Sequence, residues 1–506
     1  MNFNTILFLA FLTVCATVYY LLPAETPCGI RAKQFWLLAA DLVFYLFGTT
    51  AGFVVFLLLD AVVLWLCSRS MVRTPARRRT YLITGVVFSL GVLCFFKYNG
   101  YFAPQLADAL GRAGFAYTVP SGSTWRILQP LGISYYTFQS LGYLLDVYHG
   151  KCDHEPDFFR FLLFVSFFPQ LTAGPINRGS DLLPQLRRLP GFSYETVVSG
   201  LRRMLLGFFK KIAVADMLVM VLDPIFAAPG DYTGLTLGAV VPLYAMCLYC
   251  DFSGYTDIAC GCAGIFGLTM AENFNTPFLS ESFNDLWKRW HISLSVWLRD
   301  HIYIELLGGN RKGKRRKRLN LFLTFALSGL WHGVGSSCLG WGVLHGIYRS
   351  FECLLDDLGL LKKHPRGLHR VLRTTWVFLM NAVSLTVLRA ASLRDSFIIL
   401  TKQFRGISLS GFFRQGIELI SSGFSAEPLL ITVWIVFCVL GLAAVITGDC
   451  YQYFVLHGEP LAGWLGRQST ARRWVLYYLL LGFIFAAFLM QNGNYIGSVS
   501  FAYSGF

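Results

Sequence analysis

Charged residues are scarce in this 506-residue sequence, and their scarcity excludes most classes of soluble protein. Asp, Glu, Lys and Arg together make up 14% of the chain, whereas an ordinary soluble protein carries roughly a quarter. Hydrophobic residues reach 55%, and the mean hydropathy is +0.54. About eighteen nearly uncharged apolar residues are enough for one helix to cross a bilayer. The composition therefore predicts an all-α polytopic membrane protein.

Long polar tracts are also missing, so no soluble domain of useful size is expected. One domain over residues 1–506 is predicted, and its N-terminus lacks the basic region of a cleavable signal peptide, which favours a retained first span. Polar residues are unusually dense between residues 131 and 346, at a level that lipid-facing helices do not tolerate. The apolar runs lie near residues 5–22, 35–50, 51–67, 81–97, 131–147, 158–173, 199–222, 235–250, 252–270, 319–357, 374–391, 430–447 and 475–491.

Acidic residues are absent from three basic segments, Ser68–Thr80, Arg311–Arg318 and Leu361–Arg373. These segments carry five, seven and five Lys or Arg residues, so they account for the whole net charge of +15 and leave the remainder slightly negative. The positive-inside rule places them in the cytoplasm, where they can also bind anionic lipid headgroups. This orientation predicts extracytoplasmic N- and C-termini, and it makes a nucleic-acid partner unnecessary.

Disulfide and metal frameworks are poorly supported by the cysteines. The chain has 13 cysteines, an odd number that lies mostly inside apolar runs. Cys247-x-x-Cys250 is followed by Cys260-x-Cys262, but the second pair is spaced too tightly for a usual zinc knuckle. No metal site is predicted. Nucleophile-elbow, Walker and dinucleotide-binding motifs are not found in a suitable strand-to-helix context.

Two of the nine histidines lie in strongly apolar surroundings, His332 and His345. His332 follows Trp331 and is flanked by Gly329 and Gly333. A histidine so placed can act as a general base near neutral pH, or it can be a core residue hydrogen-bonded to a backbone carbonyl. His345 has no second feature beside it, which favours the core interpretation.

Residues 287–300 (WKRWHISLSVWLRD) combine aromatic and charged side chains. Trp290, Leu294 and Trp297 share one face at helical spacing, which predicts an amphipathic helix at the cytoplasmic surface. A glycine pair and the Arg311–Arg318 segment follow. Concentrated Arg and Lys beside glycines suit a phosphate-bearing ligand such as the nucleotide end of coenzyme A, although membrane topology alone would also produce these charges.

Five further segments occur in one order across about 200 residues: 131–139 (LGISYYTFQ), 168–176 (FPQLTAGPI), 251–257 (DFSGYTD), 290–295 (WHISLS) and 330–333 (LWHG). In these segments the sequence resembles the membrane-bound O-acyltransferase family, in its bacterial alginate O-acetyltransferase-like branch. The resemblance extends more weakly to the aromatic C-terminal tail.

The resemblance implies a ring of tilted transmembrane helices around a funnel, with interfacial and re-entrant helices. It implies that His332 is the catalytic histidine and that His291 is its polar partner or lines the same site. Arg289, Asn310 and Arg311 are the expected donor-side contacts. One departure concerns Glu305, which stands where the family has a proline in a segment with one extra residue.

The predicted activity is transfer of an acetyl or other acyl group from a cytoplasmic thioester, such as acetyl-CoA, to hydroxyls of an extracytoplasmic polysaccharide. Transfer is direct or through an esterase-like partner protein, in the cytoplasmic membrane of a bacterium and without a bound metal or cofactor. Two alternatives stay open: D-alanyl or acyl transfer from a carrier protein to a cell-envelope polymer, and a transporter or flippase without chemistry.

Overall fold

The computed structural model describes residues 3–24, 26–48, 51–112, 130–333, 335–361, 366–423 and 427–491. The start of the third basic segment (362–365) and the aromatic C-terminal tail lie outside these residues. Apart from one isolated antiparallel bridge between Phe274 and Trp290, the secondary structure of the described residues is helical. The helices separate into two compact units, Met1–Val197 with Cys262–Ala271, and Val198–Gly261 with Glu272–Phe506. The single domain expected from the sequence stays a prediction.

The first unit contains eight α-helices within its described residues, with short 3-10 helices at Ala51–Phe53 and Pro75–Arg77. They are α1 (Ile6–Leu21), α2 (Pro27–Gly48), α3 (Val54–Arg73), α4 (Arg78–Arg112), α5 (Ile133–Tyr148), α6 (Phe158–Ser166), α7 (Phe168–Leu171) and α8 (Gly179–Leu186).

The second unit holds the longer series of helices. They are α9 (Tyr194–Phe208), which begins at the boundary, a π-helix (Phe209–Ala215), α10 (Asp216–Ala227), α11 (Gly234–Ile265), which ends in the first unit, α12 (Phe283–Leu286), α13 (Ile292–Trp297), a second π-helix (Leu298–Leu306), α14 (Gly313–His332), α15 (Ser336–Asp357), α16 (Leu368–Arg389), α17 (Leu393–Lys402), α18 (Leu409–Gly423), α19 (Pro428–Phe454), α20 (Leu461–Gly466) and α21 (Thr470–Gln491).

Helices long and apolar enough to cross a membrane confirm the predicted class, an all-α polytopic membrane protein. Among the described residues there are six: Val54–Arg73, Pro75–Asn99, Gly234–Ile265, Leu368–Arg389, Pro428–Phe454 and Thr470–Gln491. The first apolar run forms the shorter helix Ile6–Leu21. The ring of helices around a funnel and the retained first span stay predictions.

Two buried carboxylates tie the helices of the first unit together. Asp41 of α2 accepts hydrogen bonds from Ser166 Oγ (2.9 Å) and from the backbone N–H of Phe168 (2.8 Å). Asp60 of α3 pairs with Ser140 Oγ of α5 at 2.5 Å and with Ser89 of α4. Polar groups withdrawn from water must find partners inside the protein, so these contacts fix how the helices pack.

Gly132 connects two of the segments that carry the family resemblance. It precedes α5 with φ +68°, and a Cβ at this position would lie 1.9 Å from the carbonyl oxygen of Leu171. Only glycine tolerates both the left-handed backbone and the close approach. The start of α5 is thereby held against the end of α7.

Residue Asp251 does not interrupt a helix, although it separates two apolar runs in the sequence. The runs 235–250 and 252–270 were expected as separate segments, but α11 continues from Gly234 to Ile265. Lys211 Nζ lies 2.5 Å from Asp251 Oδ1 and 2.7 Å from Asp216 Oδ1. Because the buried charge is paired, the helix accommodates it without a break.

The run 319–357, by contrast, forms two helices that pack closely. α14 ends at His332, and Gly333 continues in extended backbone (φ 173°, ψ 175°) before α15 begins. A Cβ on Gly342 of α15 would lie 2.5 Å from the Phe325 carbonyl oxygen and 2.9 Å from Gly329 Cα. Glycines at this crossing let the two backbones touch, as small residues commonly do between membrane helices.

We expect Gly342→Ala to weaken this crossing, because the added Cβ would meet backbone atoms that can move only if the helices separate. Overpacking of this kind costs about 1–3 kcal/mol. The midpoint of thermal unfolding in detergent, followed by fluorescence-detected size-exclusion chromatography, should therefore fall. Gly482→Ala in α21 is the matched control, since a Cβ there meets nothing within 4 Å. An unchanged midpoint for Gly342→Ala would contradict the close contact.

Candidate active site

His332 is the last residue of α14, and its imidazole is packed between two indole rings. The side chain of Trp331 lies 4.8 Å away between ring centroids, and that of Trp341 lies 4.7 Å away, nearly perpendicular at 82°. His332 is 4% exposed. Trp341 reaches it from α15, so the glycine crossing of the two helices sets the distance between them. The structure thus places His332 in the water-poor surroundings that the sequence predicts.

His291 is buried next to the same end of α14. Its ring lies 4.7 Å from Phe252 and 6.4 Å from Trp331, the residue that precedes His332. Burial lowers the pKa of His291 from its ordinary 6.5 to about 3. The imidazole is therefore neutral near pH 7 and retains one nitrogen that donates and one that accepts.

The backbone around His291 differs from the predicted amphipathic helix, which was wrong in its extent. α12 ends at Leu286, and the next helix, α13, begins only at Ile292. Trp290 lies in the antiparallel bridge to Phe274, so it does not share a helical face with Leu294. A long-range pairing therefore overrides the local periodicity of residues 287–297.

A pocket of about 750 Å³ lies beside these elements within the second unit. Its charged lining has five bases and two acids, so it favours an anion. Arg349 and Glu352 form an ion pair within it. The basic residues are Lys288, Arg299, Lys317, Arg349 and Arg373, the acids are Glu352 and Asp356, and the aromatic ones are Trp287, Tyr303 and Phe325.

Two indoles connect the pocket wall to His332. Trp287 lines the pocket and lies 5.9 Å from Trp341, which in turn contacts His332. Neither His332 nor His291 belongs to the pocket lining, although Ile292 and Ser295 beside His291 do. Trp287 and Trp341 thus form an aromatic wall between the basic pocket and His332.

His345 belongs to that wall. Its ring lies 5.0 Å from Trp287 and 4.9 Å from Trp341, and its Nε2 is 2.8 Å from Ser384 Oγ of α16. This arrangement agrees with the core interpretation, in which a buried histidine is held by a hydrogen bond.

The expected donor contacts occupy different surroundings. Asn310 lines the pocket and its Oδ1 accepts a hydrogen bond from the Tyr303 hydroxyl. Arg289 lies outside the lining; it pairs with Asp285 (2.9 Å) and stacks 4.9 Å from the ring of Tyr453. Arg311 is exposed and also lies outside the lining.

None of the five basic residues of the pocket is among the donor contacts predicted from the sequence. Lys317 belongs to the Arg311–Arg318 segment and Lys288 adjoins Arg289, so both had a local signal. Arg349 could have been found from its helical spacing, four residues after His345 on α15. Arg373 ends the basic segment Leu361–Arg373 and enters from α16, but its place in that segment does not indicate that it reaches this pocket.

Glu305 occupies a π-helix, Leu298–Leu306, and its carboxylate lies 2.9 Å from His301 Nδ1. The extra residue relative to the family pattern therefore falls where each turn holds more residues than in an α-helix.

The four cysteines of the CxxC and CxC pairs all lie on α11. Their pairs are separated by about 20 Å of helix. Within the described part of the chain, no group of three His, Cys, Asp or Glu residues could hold a metal ion.

Comparison with known proteins identifies the family of this site. The family model of MBOAT, the membrane-bound O-acyltransferases, matches residues 151–383, which include both histidines and the pocket. The protein named "Probable alginate O-acetylase AlgI" in Pseudomonas aeruginosa is 38% identical over 397 residues, which cover 77% of this chain and 72% of that protein. The chain belongs to the MBOAT family.

Other MBOAT relatives show which reactions this family includes. A Helicobacter pylori protein named peptidoglycan O-acetyltransferase is 30% identical and covers 83% of each chain. A Bacillus subtilis teichoic acid D-alanyltransferase is 31% identical over 236 residues, 44% of this chain and 59% of the relative. These MBOAT proteins are acyltransferases, and so is this chain. Transport without chemistry is therefore not its activity.

The buried imidazole of His291 predicts a pH dependence of stability. Because its folded-state pKa of about 3 lies below the ordinary 6.5, unfolding takes up a proton here at pH values below about 6.5. The free energy of unfolding therefore decreases progressively as the pH falls from about 6.5 toward 3. His291→Gln cannot take up that proton, so we expect its thermal midpoint to fall less than that of the wild type between about pH 7 and pH 5. Equal losses in the two proteins would contradict a neutral, buried His291.

Proposed function

We propose that this MBOAT protein transfers an acetyl group from acetyl-CoA in the cytoplasm toward hydroxyls of an extracytoplasmic polysaccharide, directly or through a partner protein. The observation that carries the proposal is the position of His332, which lies behind the aromatic wall of a basic pocket. The relatives named for acetylating alginate and peptidoglycan support both the acetyl group and the class of acceptor.

The basic pocket suits the donor. Five Lys or Arg side chains against two carboxylates leave positive charge for the phosphates of a nucleotide thioester. Lys317, which lines the pocket, belongs to the Arg311–Arg318 segment, and the positive-inside rule assigns that segment to the cytoplasm. The donor therefore enters from the cytoplasm of a bacterial cell, and both termini are extracytoplasmic in this orientation.

His332 acts as the general base in the proposed reaction. It takes the proton from the acceptor hydroxyl as the oxygen attacks the carbonyl carbon of the thioester. The C–O bond forms, the C–S bond breaks, and the proton passes from His332 to the departing thiolate. His291 supplies a neutral imidazole N–H that orients the acceptor or stabilises the developing oxyanion. The reaction as written needs no metal and no bound cofactor.

Trp331, Trp341 and Trp287 contribute by excluding water. A thioester is consumed by hydrolysis when water reaches it, and a dry aromatic surrounding favours transfer to the acceptor instead. The dry surroundings also strengthen a hydrogen bond donated by His291, because electrostatic interactions are screened less at a low dielectric than in water.

We expect His332→Ala to lower acetyl transfer by about 100- to 10,000-fold, the usual contribution of a general base. The measurement is incorporation of radiolabelled acetyl from acetyl-CoA into exported glycan, with purified protein in nanodiscs or with membranes that contain equal amounts of it. His369→Ala, at an exposed position on α16, is the matched control and should keep wild-type activity. Full acetylation by a correctly inserted His332→Ala protein would overturn the assignment of the base.

A second candidate function is acyl or D-alanyl transfer from a carrier protein, which the similarity to teichoic acid D-alanyltransferase favours. The same assay separates the two donors when purified protein is offered either radiolabelled acetyl-CoA or a carrier protein charged with the radiolabelled group. Label transfer from the carrier alone would replace acetyl-CoA as the donor and leave the role of His332 intact.

The pocket assignment predicts a selective effect on donor affinity. Lys317→Gln and Lys288→Gln should each raise the KM for acetyl-CoA by about tenfold, equivalent to 1.4 kcal/mol for one phosphate contact, with little change in kcat. Arg315→Gln is the control, because Arg315 is an exposed residue of the same basic segment and lies outside the pocket lining. Equal KM values in all three variants would place the donor elsewhere.

A further inference from the structure

Asn273 is a fully buried polar residue that joins three segments around His291. Its backbone carbonyl accepts a hydrogen bond from Ile292 N–H at 2.9 Å. Its side-chain Oδ1 accepts from the N–H (3.3 Å) and the hydroxyl (2.6 Å) of Ser293, and its Nδ2 donates to Thr256 Oγ1 of α11 at 3.4 Å. One side chain thus fastens the start of α13 to α11.

His291 immediately precedes the two residues that Asn273 holds, and its own backbone is in a rare conformation. Its φ is +44° and ψ is +53°, in the left-handed region that residues with a Cβ seldom adopt. Such a conformation costs of the order of 1–2 kcal/mol, so it persists only where neighbouring contacts determine the backbone on both sides.

The contacts on both sides of His291 come from the same short stretch of chain. On the N-terminal side, Phe274 bridges Trp290, and Asn275 N–H donates to the Arg289 carbonyl at 3.0 Å. On the C-terminal side, Asn273 accepts hydrogen bonds from Ile292 N–H through its backbone carbonyl and from Ser293 through its side-chain oxygen. The left-handed turn therefore depends on Asn273 for its exit into α13.

We infer that Asn273 is a positioning residue, which holds His291 in the left-handed conformation and so directs its imidazole toward Phe252 and Trp331. The inference rests on the proposed function, in which His291 assists acyl transfer beside His332. Without the side-chain oxygen, Ser293 loses its acceptor, and the Ile292 N–H bond to the Asn273 backbone carbonyl is left to resist a helical continuation through residue 291. The imidazole would then leave its place beside Trp331.

The test uses Asn273→Ala, Asn273→Asp and a matched control, Asn275→Ala. Asn273→Ala removes the acceptor for Ser293, whereas Asn273→Asp retains an oxygen in the same place and serves as the conservative rescue. Asn275 lies two residues along the same stretch, and its side-chain oxygen is buried without a hydrogen-bond partner among the described residues. Its backbone contact to Arg289 survives the substitution.

The first readout is independent of catalysis. Carbethoxylation of histidines in the full-length protein, in nanodiscs, is followed by mass spectrometry, with the exposed His369 as the internal reference. Wild-type His291 should react slowly because it is buried. We expect Asn273→Ala to raise its relative rate by about tenfold through local opening, and Asn273→Asp and Asn275→Ala to stay near wild type.

The second readout is steady-state acetyl transfer. Asn273→Ala should lower kcat by about 100-fold, the loss expected when a catalytic group is displaced by about 1 Å. The KM for the donor should stay within about twofold, because the pocket lining does not include Asn273. Asn273→Asp should restore most of kcat. A merely structural role would instead lower the thermal midpoint and the amount of active protein while kcat per active molecule stays constant.

The outcomes are distinguishable from failure of the proposed function. An unchanged His291 carbethoxylation rate in Asn273→Ala overturns the positioning role, whatever the activity. A raised rate with wild-type kcat, together with a fully active His291→Gln protein, leaves the positioning intact but removes His291 from the reaction. If Asn273→Ala does not accumulate, Ser293→Ala carries the same measurements, because it removes one of the two donors to Asn273 Oδ1.

Discussion

The contact between the backbones of α14 and α15 determines the surroundings of His332, on which the proposed reaction depends. Gly329 and Gly342 face each other there, and a Cβ on Gly329 would lie 2.6 Å from the Cys338 carbonyl oxygen. These two helices carry His332, which is the proposed general base, the indole of Trp341 that packs on it, and two basic residues of the pocket, Lys317 and Arg349. If the helices were a side chain's width apart, Trp341 could not reach His332. The packing of Trp341 on His332 therefore requires the close crossing of the two helices.

The membrane imposes the second constraint, because buried polar groups cannot find partners in lipid. Asp41, Asp60 and the Lys211 cluster each satisfy it by joining helices from different parts of the chain. Each such hydrogen bond or ion pair restricts how the helices it joins can move relative to each other. Within the second unit, the hydrogen bonds of Asn273 likewise hold the chain beside His291, whose backbone conformation an isolated peptide would avoid.

Local sequence patterns predicted the features that depend on residues close together in the chain. Hydropathy located the helices, and the glycines and tryptophan around His332 indicated its apolar surroundings. The segment at 287–300 was misjudged because the partner that unwinds it, Phe274, lies outside any local window. Asp251 was expected to separate two segments because its counter-charge, Lys211, is forty residues away. Arg373 reaches the pocket only through the packing of α16. Periodicity cannot foresee any of these contacts, because each depends on residues distant in the chain.

The length of α14 also fixes the distance between the basic pocket and His332. Lys317 near the start of α14 lines the basic pocket, and His332 is its final residue. Fifteen residues at 1.5 Å each separate them by about 22 Å. In the proposed reaction this length sets how far the phosphates of a donor lie from its thioester carbon. A donor with a much shorter arm between charge and sulfur could occupy the pocket without presenting its acyl group to His332, so under the proposed reaction α14 would select the donor by length as well as by charge.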